Sequence, residues 1–165
     1  MGDILKVKGE KDIGALIISI IISVGVGIMS GVFAGITRIS YENFSKPAFA
    51  PPGWIFPIVW TILYFLMGIA AYRIWIAGKC GENVKRALFI YVFQLMLNFI
   101  WPLIFFKWDL KAVAFFELLM LIGFIIITIL EFVKVDKKAA YLLIPYLLWS
   151  IFAAVLNYSI WMLNV

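Results

Sequence analysis

Aromatic side chains at helical spacing follow a proline-rich segment and form a surface suited to binding a flat apolar molecule. Phe56, Trp60 and Tyr64 recur every fourth residue, so they share one face of a helix. Trp60 lies roughly 10 Å below the start of its apolar run, which is deeper than the tryptophans of membrane interfaces. Its indole N–H therefore needs a partner where water is scarce. Packing against neighbouring helices is the alternative role of this face.

A second apolar run carries amide side chains. Gln94, Asn98 and Trp101 fall on one helix face, and Pro102 removes the amide that would bond to the Asn98 carbonyl. Buried amides are unfavourable in hydrocarbon unless they are paired, so this face is expected to look into the protein or a cavity. Hydrogen bonds between helices and contact with a ligand both remain open as its role.

A third apolar run places a large aromatic residue beside a small one. Tyr146, Trp149 and Ala153 share a face, and Pro145 is expected to interrupt the helix by leaving the Tyr141 carbonyl unbonded. A flat ligand fits between a large and a small side chain. Ordinary core packing explains Trp149 equally well, since aromatic residues commonly fill bundle interiors.

Acid–base and metal chemistry find little support in this sequence. The chain has no histidine and one cysteine, Cys80, which excludes histidine-dependent metal or nucleophilic sites and an intrachain disulfide. No two carboxylates approach one another within an apolar run, so the simplest hard-metal site and acid–base pair are also missing. Glu117 either reaches toward the polar boundary near Lys111 or is protonated. We predict no metal and no cofactor.

The elements that position these residues are membrane-spanning helices. Hydrophobic residues make up 65% of the 165-residue chain, and the mean hydropathy is +1.08, so much of its surface must face lipid. Five runs are long enough to cross a hydrocarbon core of about 30 Å. We therefore predict an all-α, five-helix membrane bundle in one domain over residues 1–165. The predicted spans are 13–36, 53–76, 88–106, 112–133 and 139–163.

Basic residues are unevenly divided between the two ends of the predicted bundle. Most of the 14 lysines and arginines flank the amino terminus and the loops near Lys79 and Lys137, whereas few lie in the loop of residues 37–52 and near Lys107. This bias predicts a multi-pass protein of the cell membrane with its amino terminus in the cytoplasm. The net charge of +5 indicates contact with anionic lipid head groups. Scattered over short loops, these charges do not indicate nucleic-acid binding.

A stripe of small residues runs along the first span. Ser19, Ser23, Gly27, Gly31 and Gly35 recur every fourth residue and so lie on one helix face. Such faces let another helix approach closely. Packing within the bundle and a homodimer contact are both consistent with the stripe.

Spans two, three and five together resemble the TspO/MBR family, the tryptophan-rich sensory proteins that include the mitochondrial translocator protein. The resemblance covers nearly the whole chain and rests on three groups of residues in the same order. They are Lys46-Pro47 and Pro51-Pro52-Gly53 with Trp60-Thr61 and Leu63-Tyr64; Gln94-Leu95 with Asn98-Phe99-Ile100-Trp101; and Pro145-Tyr146-Leu147-Leu148-Trp149 with Phe152-Ala153 and Asn157.

The resemblance implies a five-helix protein, often dimeric, with a pocket between its helices under the loop that joins the first two. Its ligands would be porphyrins and other tetrapyrroles, with sterols and benzodiazepine-type drugs bound by some members. By position, Pro51 and Pro52 would shape the lid. The predicted ligand-binding residues at the pocket are Tyr41, Trp60, Tyr64, Asn98, Trp101, Tyr146, Trp149 and Ala153.

Three functions follow as hypotheses. The first is a receptor or carrier of porphyrins and related hydrophobic molecules, with their acid groups near Asn98, Lys46 or Arg38. The second is light-dependent porphyrin breakdown, for which the resemblance implies Trp60 and Trp149. The third is a membrane scaffold that acts through partner contact.

The sequence departs from the family pattern at two places. Phe49 stands where a tryptophan is common, so a stacking surface is kept while the N–H donor is lost. No basic residue follows Tyr158 to complete a cholesterol motif, which argues against sterol binding.

Overall fold

The regular structure of the chain is helical throughout the residues described by the computed structural model, 4–35 and 41–164. The helices are α1 (Ile13–Ala34), α2 (Ile55–Lys79), α3 (Lys85–Pro102), α4 (Lys111–Val135), α5 (Lys137–Leu142) and α6 (Ile144–Leu163). A π-helical segment, Leu103–Lys107, continues α3. The segments α1, α2, α3 with its π-helical end, α4, and the pair α5–α6 are each long and apolar enough to cross a membrane. The prediction of an all-α bundle with five spanning segments is confirmed.

The helices pack around a core that excludes most of α1. Helix α1 lies against α2 and α3, α3 lies against α4, and α4 lies against α6, while the short α5 packs on α2. Large side chains of α1 such as Ile21 and Val32 are more than half exposed. An apolar surface of this kind is stable only against hydrocarbon, which is what spanning helices present to a bilayer.

Helix ends differ from the predicted spans by a few residues, mainly where charged side chains extend a helix beyond its apolar run. Helix α3 begins at Lys85 and α2 continues to Lys79, because long basic side chains keep their charges in water while their stems stay on the helix. Helix α1 ends at Ala34, where Gly35 adopts a left-handed backbone with φ 63°. The predicted end at Ile36 lies outside the described residues.

The fifth predicted span is two helices and not one continuous helix. The chain breaks at Leu143, and Pro145 lies in the first turn of α6, where its missing N–H removes no bond within the helix. Asp136 caps the preceding helix α5 by accepting hydrogen bonds from the amides of Lys138 at 2.8 Å and Ala139 at 3.2 Å. The expected interruption is therefore a one-residue turn at Leu143, whose backbone dihedrals stay in the right-handed helical region.

Pro102 ends the regular part of α3, and the helix widens into its π-helical segment. A missing amide is commonly accommodated by such a widening. The nearby carbonyl of Phe99 accepts a hydrogen bond from Ser30 Oγ of α1 at 2.7 Å. The widened turn also carries Phe105 and Phe106, which border the cavity described below.

Part of the small-residue stripe of α1 packs inside the bundle. A Cβ atom added to Gly27 would lie 2.2 Å from the ring of Tyr64 in α2. One turn earlier, Ser23 Oγ lies 2.8 Å from the hydroxyl of Tyr91 in α3. The small side chains let α1 approach both neighbours, which agrees with the internal-packing role.

Gly68 provides the matching close approach from α2, and its replacement tests that contact. A Cβ atom at Gly68 would lie 2.7 Å from the backbone Cα of Ile20, so Gly68→Ala is expected to lower stability by about 1–3 kcal/mol through overpacking. Gly123→Ala in α4 is the matched control, because no atom lies within 4 Å of its added Cβ. SDS titration from mixed micelles measures both variants. Equal stabilities would contradict the contact.

The amino-terminal segment is fixed to the ends of α2 and α4. Arg73, buried in α2, donates to the Ile4 and Lys6 carbonyls and pairs with Asp136 at 2.6 Å. The Tyr72 hydroxyl donates to the Leu5 carbonyl at 2.9 Å. These bonds hold the start of the chain against the end of the bundle opposite the long first loop.

Asp12 then caps α1 by accepting a hydrogen bond from the Ala15 amide. A hydrogen bond from the Lys79 ammonium, followed by that of the amide, lowers the pKa of the Asp12 carboxyl. The cap is therefore ionised at neutral pH.

Candidate ligand-binding site

A cavity of about 590 Å³ lies between the helices near the end of the bundle that carries the first long loop. All five spanning segments contribute to its wall, and loop residues 41–54 lie over it. Its volume is typical of sites that enclose a small organic molecule. The residues that matter most for its chemistry are Gly27 and Gly31 of α1; Phe56, Trp60 and Tyr64 of α2; Asn98 and Trp101 of α3; Leu118 and Leu121 of α4; and Trp149, Ala153 and Asn157 of α6.

Aromatic rings from α2 and α6 form one side of the cavity. The rings of Phe56 and Trp149 meet edge to face at 5.9 Å, and Trp149 lies 5.3 Å from Phe152. Trp60 lies 5.6 Å from Tyr64. The Trp149 indole N–H is buried and has no acceptor in the described parts of the chain. This wall combines stacking surface with a donor available to a ligand.

Polar groups meet at the inner end of the cavity. The Tyr64 hydroxyl donates to Asn98 Oδ1, and Asn98 Nδ2 donates to the Tyr146 hydroxyl at 2.8 Å. Tyr146 in turn donates to Gln94 Oε1 at 2.9 Å. The sequence left open whether these amides join helices or meet a ligand. The hydrogen bonds of Asn98 and Gln94 join α2, α3 and α6, and Asn98 also borders the cavity.

Trp101 and Asn157 form a second polar contact on the wall. Trp101 Nε1 donates to Asn157 Oδ1 at 3.3 Å, while Asn157 Nδ2 donates to the Lys111 carbonyl at 2.9 Å. The Trp101 ring stacks on Phe105 at 5.2 Å. Because the indole N–H of Trp101 is already bonded, this residue offers its ring and not its donor to a ligand.

The loop over the cavity is held by its own contacts. The Tyr41 hydroxyl donates to the Pro51 carbonyl at 3.0 Å, and its ring meets Phe56 at 4.9 Å. Burial raises the pKa of this hydroxyl, which keeps it a neutral donor. Lys46 pairs with Glu42 and its ammonium lies 4.8 Å from the centre of the Tyr41 ring. We call residues 41–54 the lid.

The sequence profile of the TspO/MBR family matches residues 18–162. The chain belongs to the TspO/MBR family. It is 39% identical over 124 residues to the tryptophan-rich protein TspO of Chlorobaculum tepidum, covering 75% of this chain and 78% of that protein. It is 36% identical over 150 residues to the protein of the same name from Archaeoglobus fulgidus, covering 90% and 96%. It is 40% identical over 125 residues to the translocator protein of Ovis aries, covering 75% and 74%.

Membership of the TspO/MBR family, together with five apolar helices, makes this chain a multi-pass integral membrane protein. The family also supports a membrane receptor or sensory role.

The structure brings most of the predicted site residues of this TspO/MBR protein to one cavity. Pro51 and Pro52 belong to the lid but are not part of the cavity wall, and Tyr146 is fully buried behind Asn98. Arg38 lies outside the described residues. Residues from the predicted set that border the cavity are Tyr41, Trp60, Tyr64, Asn98, Trp101, Trp149 and Ala153.

Helices α1 and α4 supply wall residues that sequence reasoning did not assign to the site. Gly27 and Gly31 border the cavity from α1, and Leu118 and Leu121 border it from α4. The small-residue stripe was the available signal for α1, because glycines leave space as well as permit contact. No comparable signal marked the leucines, since α4 is aliphatic along most of its length.

The lid is attached to the end of α6 through one side chain, which gives a test of its closure. Asn164 accepts from the Ser45 amide at 3.0 Å and donates to the Ser45 carbonyl at 2.9 Å. Asn164→Ala removes both bonds, so amide hydrogen exchange across residues 44–50 is expected to accelerate about tenfold. Ser159→Ala in the same helix is the control, because its hydroxyl bonds only within α6. Unchanged exchange in Asn164→Ala would show that the lid does not depend on this contact.

Proposed function

We propose that this TspO/MBR protein is a membrane receptor or carrier that binds porphyrins and related hydrophobic molecules in the cavity. The main support is one cavity between the helices that combines the rings of Trp60 and Trp149 with two buried amides, Asn98 and Asn157. A tetrapyrrole ring is flat, apolar and aromatic, so it stacks against indoles. Lipid tails lack a ring face and gain less from such a wall.

Charge at the entrance fits the acidic side chains of porphyrins. Lys46 lies in the lid beside Tyr41, and its side chain is about one quarter exposed. A cation at this position attracts a carboxylate before the ring enters. Asn98 uses one Nδ2 hydrogen and one Oδ1 lone pair in its bonds to Tyr146 and Tyr64, so its amide keeps one further donor and one further acceptor position for a ligand.

Porphyrin titration tests this proposal directly. Wild-type protein in lipid nanodiscs is titrated with protoporphyrin IX while tryptophan emission is recorded. Saturable quenching at about one porphyrin per chain is expected, whereas the same titration of empty nanodiscs gives the lipid background. The proposal would be contradicted if the quenching were no greater than that expected from porphyrin dissolving in the lipid.

We infer that the protein lies in the cell membrane with its amino terminus in the cytoplasm, because basic residues concentrate at that end of the bundle. Cys80, the single cysteine, follows α2 at this end and is partly exposed. A membrane-impermeant maleimide is therefore expected to label inside-out vesicles at least about tenfold more than intact spheroplasts. Cys80→Ser gives the background. Stronger labelling of intact spheroplasts would reverse the orientation.

Light-dependent porphyrin breakdown is a second candidate, supported by the indole N–H of Trp149 at the cavity wall, which has no acceptor among residues 4–35 and 41–164. If it occurs, porphyrin absorbance decays under light with wild-type protein and persists with Trp149→Phe. The Phe variant keeps a ring for stacking, so binding measured in the dark separates lost chemistry from lost affinity. Equal decay with both proteins would show that Trp149 is not required for the loss of porphyrin.

A further inference from the structure

Three buried polar side chains on adjoining helices carry polar atoms without hydrogen-bond partners among the described protein groups. They are Gln94 of α3, Glu117 of α4 and Ser150 of α6, each less than one tenth exposed. The unpartnered atoms are Gln94 Nε2, Ser150 Oγ and both carboxyl oxygens of Glu117. Buried polar atoms are usually bonded to protein or to ordered water, so three in one region require an explanation.

Tyr146 relates the three side chains to one another. Its hydroxyl donates to Gln94 Oε1 at 2.9 Å, and Ser150 lies one turn further along the same face of α6. Glu117 lies one turn before Leu121 on the same face of α4, and Leu121 belongs to the cavity wall. The Glu117 carboxyl also acts electrostatically on the Tyr146 hydroxyl. Gln94, Glu117 and Ser150 therefore lie around Tyr146, behind the Asn98 side of the cavity.

Glu117 has no cation to balance an ionised carboxylate within the described structure. Lys111, the nearest lysine along α4, pairs with Asp109 and places its ammonium 4.9 Å from the centre of the Phe44 ring. The other titratable groups that act electrostatically on Tyr146 of α6 are Tyr64 of α2 and Tyr91 of α3. An unpaired carboxylate is strongly unfavourable among apolar helices. A neutral carboxylic acid is not strongly unfavourable in the same place, provided that its O–H donates a hydrogen bond to an acceptor.

We propose that Glu117, Gln94 and Ser150 form a hydrated acid site, in which a protonated Glu117 shares internal water with the amide and the hydroxyl. The chemistry is complementary, because the acid and hydroxyl both donate and accept while Gln94 Nε2 only donates. A buried water needs two to four polar partners, which these three side chains supply. The ligand class is therefore water, with one exchangeable proton held on Glu117.

The hydrated acid site is joined to the cavity by two bonds, in which Asn98 donates to Tyr146 and Tyr64 donates to Asn98. A ligand that takes over one bond of Asn98 alters the bonding of Tyr146, and through it the surroundings of Glu117. This coupling rests on the proposed function, whereas the site itself does not.

Infrared spectroscopy of the ligand-free protein in lipid tests the site. At neutral pH the wild type is expected to show the C=O stretch of a protonated carboxylic acid, and D2O should shift it to lower frequency within hours. Glu117→Gln removes the band, whereas Glu131→Gln retains it, because Glu131 on the same helix pairs with Lys134 and Arg86. A wild type without the band, a band that survives Glu117→Gln, or a band unmoved by D2O would overturn the site.

Porphyrin loading tests the coupling separately. The band of Glu117 is expected to shift when wild-type protein is loaded, and Gln94→Met is expected to abolish that shift while porphyrin still quenches tryptophan emission. Gln94 is not part of the cavity wall, so binding is retained in this variant. Quenching without a band shift in the wild type would overturn the coupling. A wild type that gives no quenching would overturn the proposed function and the coupling, and leave the ligand-free result standing.

Discussion

Replacing Trp60 and Trp149 together by alanine is expected to weaken porphyrin binding by at least about 30-fold. Both rings border the cavity, and each stacked indole contributes about 1–3 kcal/mol through buried area and ring contact. Removing two of them therefore costs at least about 2 kcal/mol of binding free energy. The change in porphyrin absorbance on binding measures affinity without depending on the tryptophans that have been removed.

The control for this double variant removes two tryptophans that do not border the cavity. Trp75 and Trp108 are each about half exposed, so the double change Trp75→Ala and Trp108→Ala is expected to alter affinity less than threefold. Thermal unfolding in detergent checks that both double variants remain folded. Equal affinity of the Trp60/Trp149 variant and the wild type would contradict stacking as the basis of binding.

Replacing Asn98 by leucine is expected to destabilise the protein by about 2–4 kcal/mol. The change leaves the buried Tyr64 hydroxyl without its acceptor and removes one bond of Tyr146. An unsatisfied buried hydroxyl costs about 1–3 kcal/mol and each lost hydrogen bond about 1 kcal/mol more. SDS titration from mixed micelles measures this loss.

Adding Tyr64→Phe to Asn98→Leu distinguishes a lost hydrogen bond from a change of shape. The second change removes the unsatisfied hydroxyl, so it is expected to restore about 1 kcal/mol or more. Tyr158→Phe serves as the control, because that side chain is about half exposed on α6 and lies away from the cavity wall. Failure of Tyr64→Phe to restore stability would contradict the bonding of Tyr64 to Asn98.

Hydropathy and helical spacing predicted the bundle and much of its cavity for a physical reason. A bilayer permits few structures other than a helix along an apolar run, so length alone identifies the five spans. Residues four apart on a helix share a face, which placed Trp60 beside Tyr64 and Trp149 beside Ala153. Both pairs border the cavity.

Contacts between elements that are distant in sequence were beyond such reasoning. Nothing in the spacing of α6 distinguishes Tyr146, which lies behind the wall, from Trp149, which forms it, because both belong to one face. The bonds of Asn164 to Ser45 join residues 119 positions apart. Spacing also did not locate the turn at Leu143 that separates α5 from α6, because an isolated proline predicts only a kink.

A structure of the protein with bound porphyrin tests the central claim most directly. The proposal predicts a porphyrin ring under the lid, in contact with Trp60 and Trp149, with Asn98 within hydrogen-bond distance of a polar atom of the ligand. A porphyrin bound only on the lipid-facing surface, with the cavity between the helices left to solvent or lipid, would contradict it.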